Sequence, residues 1–297
     1  MPTDRIMTGL VLRLVAVLLL ASMGALVKLA ETRGASLVET MFWRQACAIP
    51  VVLGWLALGA GVGTIRTQRF GAHVGRTAMG LIGMTATFAA LMLLPLAEAT
   101  TLQFTAPIFA TLLGALVLRE PTGVHRWGAV LAGFVGIVIV AQPGSGAIPL
   151  AGAAVGLASG FLIAVISILL RQIGRTESAG TTVFWFSALS MLPLGALYAF
   201  RLQPHDAATW AVLGGIGLFG GAGQIALTAA LRYAPVSVAA PMDYSSLVWA
   251  SLWGWLLFGT LPSDATWVGA PIIIASGLYI AFREHRLARL RAVQSSG

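Results

Sequence analysis

Residues 130–140 read VLAGFVGIVIV, and residues 247–258 read LVWASLWGWLLF. Neither stretch alternates apolar with polar residues, as a strand of an outer-membrane barrel must over about 10 residues. Both are continuous apolar runs, and each extends into a longer one. Ten such runs follow one another, at about 9–30, 37–60, 74–94, 98–118, 123–142, 149–171, 180–200, 208–231, 235–257 and 265–282. A helix needs about 20 apolar residues to cross a hydrocarbon core of roughly 30 Å. Ten spans therefore use most of the 297 residues and leave only short loops.

Composition agrees. The chain is 58% hydrophobic and 9% charged, with a mean hydropathy of +0.89, whereas a water-facing domain carries about 25% charged residues. A soluble fold, a disordered chain and a collagen are excluded, the 35 glycines having no three-residue period. Cys47 is the single cysteine, which removes disulfide scaffolds and cysteine-based zinc or iron–sulfur sites. The expected fold is all-α and integral to the membrane, with ten transmembrane helices. A cleaved signal peptide is not expected, since the first run is too long and lacks an obvious cleavage site.

The net charge of +8 is a topology signal once its distribution is followed. With ten spans, one side holds Arg5, Arg66, Arg69, Arg76, Arg119, Arg126, Arg171, Arg175, Arg232 and the tail Arg283, Arg286, Arg289 and Arg291, 13 basic residues against 3 (Lys28, Arg33, Arg201) on the other. Positive residues are retained in the cytoplasm during insertion, so both termini are expected there. No nucleic-acid partner is expected. The basic tail can meet anionic lipid instead.

A shift of 140 residues lays the second half on the first: of the twelve positions from Gly80 to Leu91, six are identical to their counterparts from Gly220 to Leu231. The same shift pairs Ala99 with Ala239, Leu112 with Leu252, Gly114 with Gly254, Leu116 with Leu256 and Trp127 with Trp267. Five spans per unit is an odd number, so the units enter the membrane from opposite sides. The expected organisation is two inverted five-helix repeats, 1–142 and 149–282, followed by a basic tail at 283–297. Inverted repeats are the sequence signature of secondary transporters, whose substrate sits near the midplane between the halves.

Deep ionisable groups mark function in such proteins. Asp243 lies about eight residues into span 9, roughly 12 Å below the boundary at 1.5 Å per residue. Under the shift Asp243-Tyr244 corresponds to Gln103-Phe104 in span 4, and each span carries a proline, Pro107 and Pro241, that weakens the helix and suits a gate or hinge. Asp243 is read either as a substrate, proton or gating group or as a buried residue bonded to a neighbouring helix. Gln224, among Gly220, Gly221 and Gly223, is either a site residue or helix glue. Phe88, Phe104, Phe161, Trp185, Phe219 and Tyr244 could line a pocket for a flat ligand, or simply pack. Arg44 is read as an anchor for span 2, pairing with Glu39 or with backbone carbonyls, and Arg13 as snorkelling to the cytoplasmic face.

Gly215-Ile216-Gly217-Leu218-Phe219-Gly220 fits GxGxxG, but no strand precedes it, so it is not a dinucleotide site. His73, His125, His205 and His285 all fall in expected loops or the tail, which leaves no histidine-based proton relay, metal site or intramembrane protease. The ten acidic residues are scattered singly, so no magnesium cluster for a transferase is expected. No cofactor, no metal and no enzyme activity are expected. The expected partners are a small-molecule substrate and the bilayer, and a monomer suffices.

The chain resembles the ten-span, EamA-type members of the drug/metabolite transporter superfamily. The second half carries the likeness best, in Ala230-Leu231-Arg232-Tyr233-Ala234-Pro235, Ala240-Pro241-Met242-Asp243-Tyr244-Ser245-Ser246-Leu247-Val248-Trp249-Ala250 and Gly254-Trp255-Leu256-Leu257-Phe258-Gly259. In the first half Phe42-Trp43-Arg44, Thr105-Ala106-Pro107-Ile108 and Arg119-Glu120 fit the same pattern. The resemblance implies alternating-access transport in the bacterial inner membrane. Relatives include exporters of amino acids, the aromatic amino acid exporters forming one branch, and uptake carriers for riboflavin or S-adenosylmethionine. Amino acid export is the first expectation and uptake of a cofactor-like solute the alternative. Where the family often has Gly-Glu after span 9 this chain has Gly259-Thr260, and span 1 lacks the membrane glutamate of the small four-span multidrug exporters.

Overall fold

The computed structural model describes residues 3–59, 61–116, 123–144, 148–173, 176–200, 202–233 and 240–294. Among these residues the secondary structure is helical throughout, without strands. The helices are α1 (Thr3–Thr32), α2 (Leu37–Leu58), α3 (Phe70–Leu93), α4 (Leu96–Gln103), α5 (Ala106–Leu116), α6 (Val124–Ala141), α7 (Leu150–Ile173), α8 (Ala179–Ala199), α9 (Ala207–Tyr233), α10 (Ser246–Phe258) and α11 (Asp264–Gln294). Short 3₁₀ turns occupy Val62–Ile65 and Ala240–Ser245.

Nine segments among the described residues are long and apolar enough to cross a membrane, α4 and α5 together forming one of them. The expected ninth run differs from the rest. Its first residues, 235–239, lie outside the described residues, Ala240–Ser245 is a 3₁₀ turn, and α10 has 13 residues. Pro241 explains the local geometry, because it lacks an N–H to donate and clashes with the carbonyl four residues back.

Span 4 is interrupted as well. The chain leaves α4 at Phe104, whose N–H is shared between the carbonyls of Thr100 and Thr101, and re-enters helix at Ala106 with Pro107 in the first turn of α5. An N–H there has no intrahelical acceptor, so a proline costs little. The Thr105 hydroxyl donates to the Leu102 carbonyl at 2.6 Å, satisfying an acceptor freed by the break. α5 begins at Ala106 and α10 at Ser246, α6 at Val124 and α11 at Asp264, each pair 140 residues apart.

α1 packs along α9 and α3 along α7; α2 meets α8 and α9, α3 meets α8, and α6 lies along α11. The close approach of α6 and α11 requires small residues. A Cβ added at Gly136 would stand 3.0 Å from the carbonyl oxygen of Gly269 and 2.8 Å from Ile273 Cγ1.

Several helix ends are closed by buried or half-buried charge that the sequence places merely at span ends. Lys28 Nζ donates to the carbonyls of Leu91, Met92 and Leu94 at 3.3, 3.2 and 2.9 Å, capping α3. Glu39 is fully buried; it closes a capping box with Ser36 at the start of α2 and bonds His205 Nε2 at 3.0 Å. Glu98 accepts from the Ser263 amide and the Thr266 hydroxyl at the start of α11. At the end of α10, Gly259 takes a left-handed conformation (φ 64°), and the Thr260 amide and hydroxyl both bond the Gly254 carbonyl.

Candidate functional site

The first site lies at the two interruptions. Arg13 of α1 grips Asp243 with both arms: Nε donates to Oδ1 at 2.6 Å and Nη2 to Oδ2 at 2.5 Å. Arg13 therefore does not snorkel to the cytoplasmic face. The carboxylate opposite, within reach of both arms, is a better partner for a guanidinium fork than a distant headgroup. Tyr244 stands edge-on to Phe104, with ring centroids 5.0 Å apart, and its hydroxyl comes against Gly277 of α11, which Pro107 also approaches. Gln103 is the last residue of α4, beside this group and half-buried. Asp243, Tyr244, Gln103, Phe104, Pro107 and Pro241 thus all stand at the two interruptions.

Gln224 is elsewhere. It lines a small cavity of about 40 Å³ between α2, α3, α8 and α9, together with Arg44, Arg76, Phe186, Ser187, Gly220 and Gly221. A second cleft, too narrow to admit a water molecule, shares Val183 and Gln224 with it.

The remaining aromatic candidates line neither place. Phe88 is 2% exposed, packed in the core with Met84 and Leu91. Phe161 is 40% exposed on the outside of α7, edge-on to Phe109 at 5.7 Å. Trp185 Nε1 donates to the Ile65 carbonyl at 2.8 Å, tying α8 to the 3₁₀ turn that follows α2. On a helix that is apolar all round, sequence cannot say which aromatic faces inward.

Arg44 differs from its expected role. Glu39 is taken by Ser36 and His205, and five residues on a helix place two side chains about 140° apart around the axis. Arg44 instead donates to Gln45 Oε1 at 2.7 Å and faces the cavity. Arg76, counted on sequence among loop residues, belongs to α3 because that helix begins at Phe70. The earlier start also takes in His73, which is fully buried, 3.8 Å from Glu177, and not in a loop. The missed signal is helical spacing: His73, Arg76, Thr77 and Gly80 recur at three and four residues, a polar stripe running into the span. His125 is likewise helical, in the first turn of α6.

These apolar helices and interrupted spans define a polytopic helical membrane protein, and its family places it in the transporter class. The chain belongs to the EamA-like transporter family, whose profile matches residues 7–142 and again 150–282. It is 32% identical over 249 residues to a riboflavin transporter of Vibrio cholerae, covering 83% of each chain. It is 28% identical over 277 residues to a pseudopaline exporter of Pseudomonas aeruginosa, covering 93% of this chain and 96% of the relative. It is also 26% identical to an S-adenosylmethionine uptake transporter of Rickettsia prowazekii, covering 84% of each. A crystal structure at 19% identity superposes with a TM-score of 0.61 over 94% of this chain and 98% of the other, which supports the fold. The protein is thus a multi-pass protein of the bacterial inner membrane.

Proposed function

We propose that the protein is a secondary transporter working by alternating access, which exports amino acids, aromatic ones included, or similar small metabolites. The observation that carries this is the polar cavity between α2 and α3 of one half and α8 and α9 of the other, where substrate sits in transporters built from repeats.

The organisation proposed is ten spans in two inverted five-helix units, 1–142 and 149–282, with both termini and the 283–297 tail cytoplasmic and one chain sufficient. The 140-residue offset between helix starts supports it, as does the twofold match to the family profile. So does the packing: α1 on α9 has its shifted counterpart in α7 on α3, and α2 on α9 in α8 on α3.

Asp243 takes up a proton or a substrate ammonium in exchange for Arg13, while the chain at Pro107 and Pro241 bends as the gate. Tyr244, Gln103 and Phe104 follow that movement, and Gln224 hydrogen-bonds substrate. Phe88, Phe161 and Trp185 serve the pocket only indirectly, by packing. The second reading, uptake of a cofactor-like solute such as riboflavin or S-adenosylmethionine, is favoured by the names of two relatives.

The test is counterflow in proteoliposomes of the purified protein, with labelled phenylalanine chased by amino acids, and in parallel labelled riboflavin. Exchange of phenylalanine supports export of amino acids, exchange of riboflavin alone supports the second reading, and exchange of neither overturns export of aromatic amino acids and uptake of riboflavin. Normal exchange by an Asp243→Asn variant would remove Asp243 from the mechanism.

A further inference from the structure

Two arginines share the cavity between α2, α3, α8 and α9, and among the described residues neither has a carboxylate partner. Both guanidinium groups lie over one ring: Arg76 is 3.8 Å and Arg44 5.7 Å from the centroid of Phe186. Nε of Arg44, and Nε and Nη1 of Arg76, are buried without an acceptor. Gln45 Nε2 is a further buried donor without a partner, while its Oε1 accepts from Arg44 and from the Ser187 hydroxyl at 3.2 Å. The neighbouring acids are engaged elsewhere, Glu39 with His205 and the α2 cap, and Glu177 with His73 and the Thr67 hydroxyl.

Burying two like charges side by side is strongly unfavourable unless something opposes them, and the cation–π contact with one phenylalanine offsets part of that at most. What such a set of donors lacks is an acceptor with negative charge. The backbone makes room for the arginines: a Cβ at Gly80 would stand 2.6 Å from Arg76 Nη1, and one at Gly220 would stand 3.4 Å from Arg44 Cγ.

We propose that Arg44 and Arg76 bind the anionic group, carboxylate or phosphate, of the transported solute. The guanidinium forks match the oxygens of either anion, Gln45 and Gln224 supply neutral donors, and Phe186 forms a flat wall. This inference rests on the transporter reading and narrows it. An amino acid carries such a group; riboflavin does not.

The experiment is a thermal-shift titration of the full chain in nanodiscs of neutral phosphatidylcholine, with inorganic phosphate, L-phenylalanine and L-phenylalaninamide as probes. A parallel series in discs containing phosphatidylglycerol tests a lipid headgroup as the source of the anion. The expected result is a saturable rise in Tm with phenylalanine or phosphate but not with the amide, weakened roughly tenfold or more by Arg76→Gln. Arg44→Lys and Arg76→Lys keep the charge and lose the fork; they are expected to bind more weakly than the wild type while folding normally, which covers a failure of the glutamine variant to fold. No response to either soluble anion, equal responses in wild type and variants, or a response to phosphatidylglycerol alone would each overturn the inference. Counterflow separates the two claims: exchange without anion binding overturns this inference and leaves the transporter reading, whereas anion binding without exchange leaves an anion site at the two arginines but overturns its role in transport.

Discussion

The Arg13–Asp243 pair joins α1 to the interrupted turn before α10 and should be measurable as a coupling energy. Its two charge-assisted hydrogen bonds, at 2.6 and 2.5 Å, have the bidentate geometry that is the strong form of this interaction. The two sides are unequally buried, the Arg13 side chain being 11% exposed and that of Asp243 41%. A fully buried pair that loses one partner costs about 3–5 kcal/mol, and an exposed one typically less than 1 kcal/mol. Discounted for the exposure of the carboxylate, Asp243→Asn is expected to cost about 2 kcal/mol, roughly 30-fold in the unfolding constant. Arg13→Gln should cost less, because the carboxylate left behind can hydrate. The double variant should recover part of the loss, giving a coupling of about 1–2 kcal/mol. Reversible unfolding in mixed detergent micelles of the wild type, both single variants and the double variant supplies the four values. Additivity within about 0.5 kcal/mol would show that the pair is not a feature of the dominant state, and the proposed exchange of Arg13 for a proton at Asp243 would go with it.

Three further outcomes follow from the packing and the caps. Gly136→Ala sets a methyl group against the Gly269 carbonyl and Ile273 and should cost about 1–3 kcal/mol, whereas Gly128→Ala on the same helix meets nothing within 4 Å and should be neutral or stabilising by up to about 1 kcal/mol; equal midpoints in the same unfolding assay would contradict the α6–α11 contact. Lys28→Met removes the donor to three carbonyls at the end of α3 and should lower stability by about 1–3 kcal/mol, with Lys28→Arg retaining most of it; a methionine variant as stable as the wild type would remove the cap. Outside the spans, Asp206 caps α9, and its hydrogen bonds with Thr209, helped by Arg33, hold its carboxyl below the ordinary 3.8. A depressed carboxylate stabilises above its unfolded pKa and loses that effect as pH falls through its folded value, so the Tm advantage of wild type over Asp206→Ala should be constant above about pH 5 and shrink below 3.8; an advantage unchanged down to pH 3 would refute the cap.

Sequence alone determined that this chain lives in a membrane as helices, because bilayer thickness fixes the length of an apolar run and that property is read one segment at a time. It also located the two interrupted spans, since a proline acts on its own backbone wherever the helix ends up. The pairings were decided only by the tertiary structure. Arg13 looked like a headgroup anchor until α1 was brought to Asp243, 230 residues away in the chain. Arg44 and Arg76 sat in different categories, anchor and loop, until α2 and α3 turned both toward Phe186. Phe88 and Phe161 were equal candidates, yet one packs in the core and the other faces outward. In helices apolar on every side, the sequence carries almost no signal of which face meets a neighbour and which meets lipid. Polar residues gain their role from the helix that arrives opposite them, and that is fixed by contacts between small residues such as Gly136 and Gly269, far from the residues whose roles they decide.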